Sequence, residues 1–232
     1  MAGEGKRFLK SSFSLPKPLI KVLGMMIIEW AVKSIRLKGN FIFCCRKEHV
    51  EKYNLDKKLR EIVPDCRIVK VERLTEGPVK TVLEASGFIN NDEELLISDS
   101  DHHIEWDASK FIEIIKEKNV DACVMVFPDE QTSEELSYVK LDSNNYVIDA
   151  AEKKPISKIA TVGLHYFRKG SDFVKYSNKM IKKNIRTNNE FYVTSVYNEL
   201  IADGKKVISF PVNKMWSLGT PNDVENFINS YK

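Results

Sequence analysis

Short apolar runs, each closed by a breaker or a polar pair, limit what this chain can fold into more than any other feature. Phe41-Ile42-Phe43-Cys44-Cys45, Glu94-Leu95-Leu96-Ile97-Ser98, Ala122-Cys123-Val124-Met125-Val126-Phe127 and Thr161-Val162-Gly163-Leu164-His165-Tyr166-Phe167 read as strands. Continuous apolar runs of this length mark strands buried on both faces. Between them lie helix-like stretches at 21–38, 48–63, 79–86, 106–117, 171–183, 192–203 and 222–231, where apolar residues recur at helical spacing. Gly39, Pro64 and Gly87 stop or cap three of these helices, and Gly204 sits at the C′ position of another. Shorter strands are expected at 68–71 and 206–212, and a β-hairpin over 137–150 turning at 142–145. Strands alternating with helices, without internal repeat or linker, predict an α/β domain built on a mixed sheet. A length of 232 residues suits one such domain.

Charge excludes one class of partner. The 36 basic and 33 acidic residues nearly cancel, leaving +3, and no basic tract is long enough to follow a nucleic-acid backbone. Neither a signal peptide nor a run long enough to span a bilayer is apparent, so no membrane partner is expected. Cys44, Cys45, Cys66 and Cys123 lack metal-ligand spacing, and those in apolar runs read as small hydrophobes. Together these features predict a reduced, cytoplasmic protein.

Residues 1–18 carry the first functional signal. Gly3 and Gly5 let backbone N–H groups approach an anion closely. Arg7 adds a planar fork for phosphate oxygens, and Lys17 a compact charge stiffened by Pro16 and Pro18. No Gly-Lys-Ser/Thr follows, so this is not a P-loop. The third glycine of a dinucleotide fingerprint is missing as well. A loose basic tail would not interleave Phe8, Leu9, Phe13, Leu15 and Leu19 with its glycines and prolines.

Further on, a strand delivers Asp99-Ser100-Asp101 to its C-terminal end, where open α/β sheets place ligands. Hard carboxylate oxygens there suit Mg²⁺ held jointly with phosphates; a solvated acidic turn is the plainer alternative. His102 and His103 point different ways on an extended backbone, so a shared metal is not expected. They read as lining a pocket or lying exposed. Thr75-Glu76-Gly77-Pro78, with Lys80 and Thr81, forms a turn into a helix. Ala151-Glu152-Lys153-Lys154-Pro155 reads as a charged surface run. In Asn188-Asn189-Glu190-Phe191-Tyr192 an asparagine reads as a helix cap.

The Gly-x-Gly-x-Arg-Phe loop followed by Pro-Lys-Pro-Leu resembles the signature loop of nucleotidyltransferases of the NDP-sugar pyrophosphorylase type. Similar motifs recur along nearly the whole chain. The resemblance implies a single Rossmann-like, glycosyltransferase-A-like domain over 1–232, with a mixed, mostly parallel sheet flanked by helices. It places Ala2, Gly3, Glu4, Gly5, Glu76, Gly77, Thr81 and Ser100 around the nucleotide. Arg7, Lys17 and Lys153 serve the transfer, Asp101 holds Mg²⁺ or Mn²⁺, and His102, Glu152 and Glu190 face the acceptor.

The implied reaction moves NMP from an NTP, CTP favoured, to a small phosphorylated acceptor in capsule or surface-polysaccharide precursor synthesis. A sugar-1-phosphate is the alternative acceptor, and a homo-oligomer is compatible with this reading. A D-x-D glycosyltransferase and a non-catalytic nucleotide-binding protein are more distant alternatives. Many relatives carry a second metal-binding Asp near the C-terminus, and here Ser217 lies closest to that position. Either Asp101 and the triphosphate then hold the ion with waters, or Asp99 or Glu190 substitutes. The resemblance also leads us to expect a buried apolar strand of about five or six residues upstream of Met1.

Overall fold

The computed structural model describes residues 1–3, 6–9 and 15–231, which fall into two compact units. The first holds α1 (Lys6–Leu9), a 3₁₀ turn (Lys17–Leu19), β1 (Lys21–Val22), β2 (Met25–Met26), α2 (Ile27–Ile35), β3 (Ile42–Arg46), α3 (Lys47–Tyr53), α4 (Leu55–Ile62) and β4 (Arg67–Val71). The second opens with α5 (Pro78–Leu83), α6 (Ser86–Ile89) and β5 (Leu95–Ser98). The chain returns to the first unit for β6 (His102–Glu105). It then adds to the second α7 (Ala108–Lys118), β7 (Ala122–Pro128), β8 (Ser137–Leu141), β9 (Val147–Glu152), β10 (Ile159–Phe167), α8 (Gly170–Lys182), α9 (Val193–Ala202) and β11 (Val207–Pro211). β12 (Lys214–Ser217) and α10 (Pro221–Ser230) complete the first unit.

Several boundaries differ from expectation, each for a local reason. The helix expected over 21–38 is shorter because Leu23 and Gly24 take positive φ (49° and 84°) and turn β1 back on β2. α2 begins only at Ile27 and ends at Arg36, which is left-handed (φ 51°), before Gly39 is reached. The helix expected over 48–63 is two, split at Asn54 (φ 51°). Gly87 caps nothing: Glu84 and Ala85 stay near helical geometry, and the chain steps into α6, which contains Gly87. β6 and β12 were not expected as strands. They pair antiparallel, from Lys214 against Glu105 to Ser217 against His102.

The large sheet of the second unit runs β11-β7-β10-β8-β9, with β5 also on β10. It is mixed and carries helices, as expected, but parallel pairing is the minority. Among the described residues only β11–β7 and β3–β4 are parallel. β8 and β9 form the expected hairpin, and β10 follows by a short link; neither connection needs the long crossover that parallel neighbours require. β10 has β7 along one edge and divides the other. Ala160 faces Tyr138 of β8, while Leu164–Phe167 face β5. Gly163 (φ 70°) lies where the register against β7 shifts, between Thr161 and His165.

Val124 and Met125 of β7 are fully buried. In the first unit Leu55 and Leu59 of α4 pack with Val50, Cys45 and Phe43, and a second cluster joins Phe8, Trp30, Leu218 and Phe227. Each fully buried leucine contributes about 1.5–3 kcal/mol, so α4 is held by this face and not by its charged one. The four cysteines are free thiols, and burial pushes Cys45 up to about 12. No helix among the described residues is long and apolar enough to cross a membrane.

Gly170 starts α8 against α6: a Cβ there would lie 1.9 Å from the Ile89 carbonyl oxygen. Backbone cannot yield as a side chain can, so Gly170→Ala is expected to cost about 3 kcal/mol. Urea denaturation of the two proteins measures it.

Candidate functional site

In the first unit the turn Asp99-Ser100-Asp101 leads into β6, and β6 is pinned from α2. The Ser34 hydroxyl accepts the Ile104 N–H (2.8 Å), lies 2.9 Å from His103 Nδ1 and donates to the Trp30 carbonyl (3.0 Å). The same carbonyl is 3.1 Å from His103 Nδ1. A carbonyl only accepts, so the tautomer with hydrogen on Nδ1 satisfies the group. Trp106 Nε1 donates to the Ser34 carbonyl at 2.6 Å. Trp30, Phe227 and Tyr231 surround the His103 ring, and burial lowers its pKa. His103 is therefore buried, not exposed or pocket-lining; its β-strand position turns it opposite to His102.

Lys17 reaches this turn from the 3₁₀ turn, where Pro18 and Leu19 are buried and the Leu19 N–H donates to the Pro16 carbonyl (2.9 Å). Lys17 Nζ lies 2.5 Å from Asp101 Oδ2. Burial pushes the Asp101 carboxyl up, but the Lys17 ammonium and the neighbouring His102 outweigh it and hold the group at about 2. His102 Nδ1 is 3.8 Å from Asp99 Oδ2. Ligand atoms of Asp99, Asp101 and His102 all lie within 4.8 Å of one another. The two carboxylates offer the hard oxygen donors that suit a small divalent ion, with the softer imidazole beside them.

β12 and the start of α10 close over the same carboxylate. The Leu218 N–H donates to the Asp101 carbonyl (2.8 Å). Ser217 Oγ donates to Asp223 Oδ2 (3.0 Å), and the Asp223 N–H to Thr220 Oγ1 (3.1 Å). A Cβ on Gly219 would stand 3.2 Å from Asp101 Oδ2, 3.4 Å from Ser217 Oγ and 3.7 Å from Asp223 Oδ2. Ala2 is buried, whereas Gly3 and Arg7 are exposed; Ser100 is half-buried in its turn. Glu4 and Gly5 lie outside the described residues.

The second unit groups the remaining predicted residues. Gly77 (φ 104°) caps α5 where a Cβ would meet Phe191 N at 2.7 Å and Glu190 Cβ at 2.8 Å. The Phe191 N–H donates to the Glu76 carbonyl (2.8 Å) and the Val79 N–H to the Phe191 carbonyl (3.0 Å). Thr81 Oγ1 donates to the Gly77 carbonyl. Arg186 joins the Glu76 carboxylate (2.8 Å) and stacks 4.0 Å from the Phe191 ring centre. Lys153, itself left-handed (φ 53°), donates to the Tyr192 hydroxyl (3.0 Å), which donates to Glu190 Oε2 (2.5 Å). Glu152 accepts from the Ser137 hydroxyl.

A cation against a carboxylate after a strand end, with a second carboxylate and an imidazole beside it, is a set of charges able to engage a polyphosphate together with a metal ion. The sequence profile described as nucleotidyl transferase matches residues 1–232. The chain belongs to the nucleotidyl transferase family. A nucleoside-diphosphate-sugar pyrophosphorylase of Vibrio cholerae RC9 shares the fold with a TM-score of 0.84, at 20% identity, over 99% of this chain and 98% of that one. The inositol-1-phosphate CTP transferase of T. maritima gives a TM-score of 0.74 at 13% identity, over 99% and 94%. The bifunctional protein GlmU of Methanocaldococcus jannaschii is 26% identical over 227 residues, 96% of this chain. The chain spans about half of that relative's length (51%).

Within this nucleotidyl transferase, Arg186, Tyr192, Ser34 and Asp223 were not singled out from the sequence. Arg186 answers to Glu76, Tyr192 to Lys153 and Ser34 to Ile104, all distant in the chain, whereas Asp223 answers to Ser217 only six residues away, and the Thr-Pro-Asn-Asp start of α10 offered a local sign, an N-terminal acid. Asn188 and Asn189 are not caps. Both are left-handed (φ 48° and 64°) in the turn before Glu190, and α9 starts at Val193 behind Tyr192.

Two outcomes follow from the first unit. Ser34→Ala leaves the buried Ile104 N–H without its acceptor and is expected to lower stability by about 1–3 kcal/mol in denaturant titration. In Lys17→Met the Asp101 carboxyl rises from about 2 toward the ordinary range. The wild-type carboxylate contributes stability above the unfolded pKa of roughly 3.9, lost as pH falls through the folded value. NMR titration of Asp101 and melting between about pH 2 and 5 measure both effects.

Proposed function

We propose that this protein is a metal-dependent nucleotidyltransferase that moves NMP from an NTP to a small phosphorylated acceptor and releases pyrophosphate. The observation that carries this is Lys17 Nζ against Asp101 Oδ2 at 2.5 Å, in a chain of the nucleotidyl transferase family. It brings a cation for phosphate and an anion for a metal to one point. An acceptor phosphate oxygen attacks the α-phosphorus in line as the bond to pyrophosphate breaks. That phosphate is already ionised at neutral pH, so positioning and charge neutralisation dominate and no general base is needed.

In this reading Lys17 steadies the α-phosphate, and Arg7 with the amides of Gly3 and Gly5 grips the departing pyrophosphate. Ala2, Glu4, Glu76, Gly77, Thr81 and Ser100 take the rest of the nucleotide. Lys153, held by Tyr192, meets the acceptor phosphate, with Glu152, Glu190 and His102 around the acceptor. Asp101 would hold Mg²⁺ or Mn²⁺, which supplies neutralisation of phosphate charge. CTP is the favoured nucleotide, on the resemblance of the Met-Ala-Gly loop and the Ser-Asp-rich strand end to single-domain enzymes of capsule and surface-polysaccharide pathways. The finest form of the reading is a CTP:phosphoglutamine cytidylyltransferase of capsular phosphoramidate synthesis. A sugar-1-phosphate is the second acceptor to test, because the V. cholerae protein of like fold is a nucleoside-diphosphate-sugar pyrophosphorylase.

Thermal shift with the four common NTPs and Mg²⁺, followed by pyrophosphate release with phosphoglutamine and glucose-1-phosphate, tests the reading. The expected result is stabilisation greatest with CTP, and release that needs both metal and acceptor. Asp101→Asn should abolish release while leaving the fold intact, and Lys153→Ala should raise KM for the acceptor more than for the NTP. No stabilisation by any NTP, together with no pyrophosphate, would overturn it.

A further inference from the structure

We infer that Lys17 guards the cation site: in the free protein its ammonium occupies the Asp101 oxygen that a divalent ion needs, so ion and NTP are taken up together. This rests on the nucleotidyl-transfer reading above and adds a coupling between its two charged ligands. The ammonium nitrogen is 2.5 Å from Asp101 Oδ2, and both side chains are largely withdrawn from water, at 24% and 17% exposure. Mg²⁺ or Mn²⁺ binds a carboxylate oxygen at about 2.0–2.1 Å, which places it inside the space this contact fills. Two cations cannot share one oxygen at such distances in a partly buried setting without strong repulsion.

The backbone under Lys17 does not offer an easy retreat. Pro16 and Pro18 fix the chain on either side, Pro18 and Leu19 are buried, and the Ile20 N–H is tied to the Lys17 carbonyl (3.2 Å). The flexible part is the four-carbon stem, so the guard opens by a swing of the side chain. A polyphosphate offers that ammonium another anion and brings negative charge to the incoming ion. Leaving Asp101 thus becomes favourable only when the phosphate arrives. Because coupling is reciprocal, the factor by which NTP tightens the ion equals the factor by which the ion tightens NTP. Neighbouring groups strengthen the arrangement: Asp99 and His102 remain beside the freed carboxylate.

The test is Mn²⁺ binding to the full chain without nucleotide, followed by electron paramagnetic resonance, in wild type, Lys17→Met and Lys17→Met/Asp101→Asn. Lys17→Met, uncharged and of similar length, should bind Mn²⁺ about tenfold or more tightly than wild type, within the usual range of coupling factors. The double variant should lose that gain. Lys17→Gln serves if the methionine variant does not fold, as judged by its melting curve. A Lys17 variant that binds Mn²⁺ no more tightly than wild type overturns the inference, whatever the activity. Wild-type protein that releases no pyrophosphate with any NTP is a separate failure, that of the nucleotidyl-transfer reading.

Discussion

The hydroxyl of Ser34 holds the strand on which the first unit's chemistry depends. β6 is four residues long and has β12 as its strand partner, too little pairing to fix a turn carrying like charges. Ser34 supplies what the ladder cannot. It takes the Ile104 N–H and meets the His103 ring, while its carbonyl receives Trp106. A single small polar residue, buried and fully partnered, thereby transmits the position of α2 to Asp101. Buried polar networks specify one arrangement only when every member is satisfied, and here the His103 tautomer completes the set.

Beside Asp101 the chain links two polar side chains. The Ser217 hydroxyl donates to Asp223 in the first turn of α10, and both side chains lie with Asp101 Oδ2 around Gly219. Asp223 gains there from the positive end of its helix. The second unit uses the same device with opposite sign. Lys153 and Arg186 each have an anion, Glu190 through Tyr192 and Glu76 directly, that orients them.

What could be read in advance follows the range of the interactions involved. β7 and β10 were legible because burial on both faces favours a long, largely apolar run; β3 reads the same way in the sequence, yet its residues alternate between half-buried and buried. The end of β5, and with it Asp101, was legible from a short apolar run, of which only Ile97 is buried. β6 and β12 were not, since four residues carry no period and their partners lie more than 100 residues apart. The start of α2 was misread because the apolar residues of β1 and β2 continue the helical spacing. The turn between them needs Leu23, which signals nothing, in a left-handed conformation. Lys17 and Asp101 were each legible as charged residues at special positions. Their contact across 84 residues was not, and no pattern of single residues encodes such a pairing.

The divided edge of β10 has a consequence for how the second unit opens. Along β7 the strand is continuous, but on its far side Ala160 belongs to the hairpin and Leu164–Phe167 to β5, with Gly163 at the junction. Amides on either side of that glycine are therefore protected by different partners. The part against β8 is expected to exchange its hydrogens when the β8–β9 hairpin lifts, a local event closed by a short turn. The half against β5 exchanges only when a contact some seventy residues long in sequence is broken. One strand thus belongs to two cooperative units of different stability, and the residue between them is the one with no side chain to hold them together.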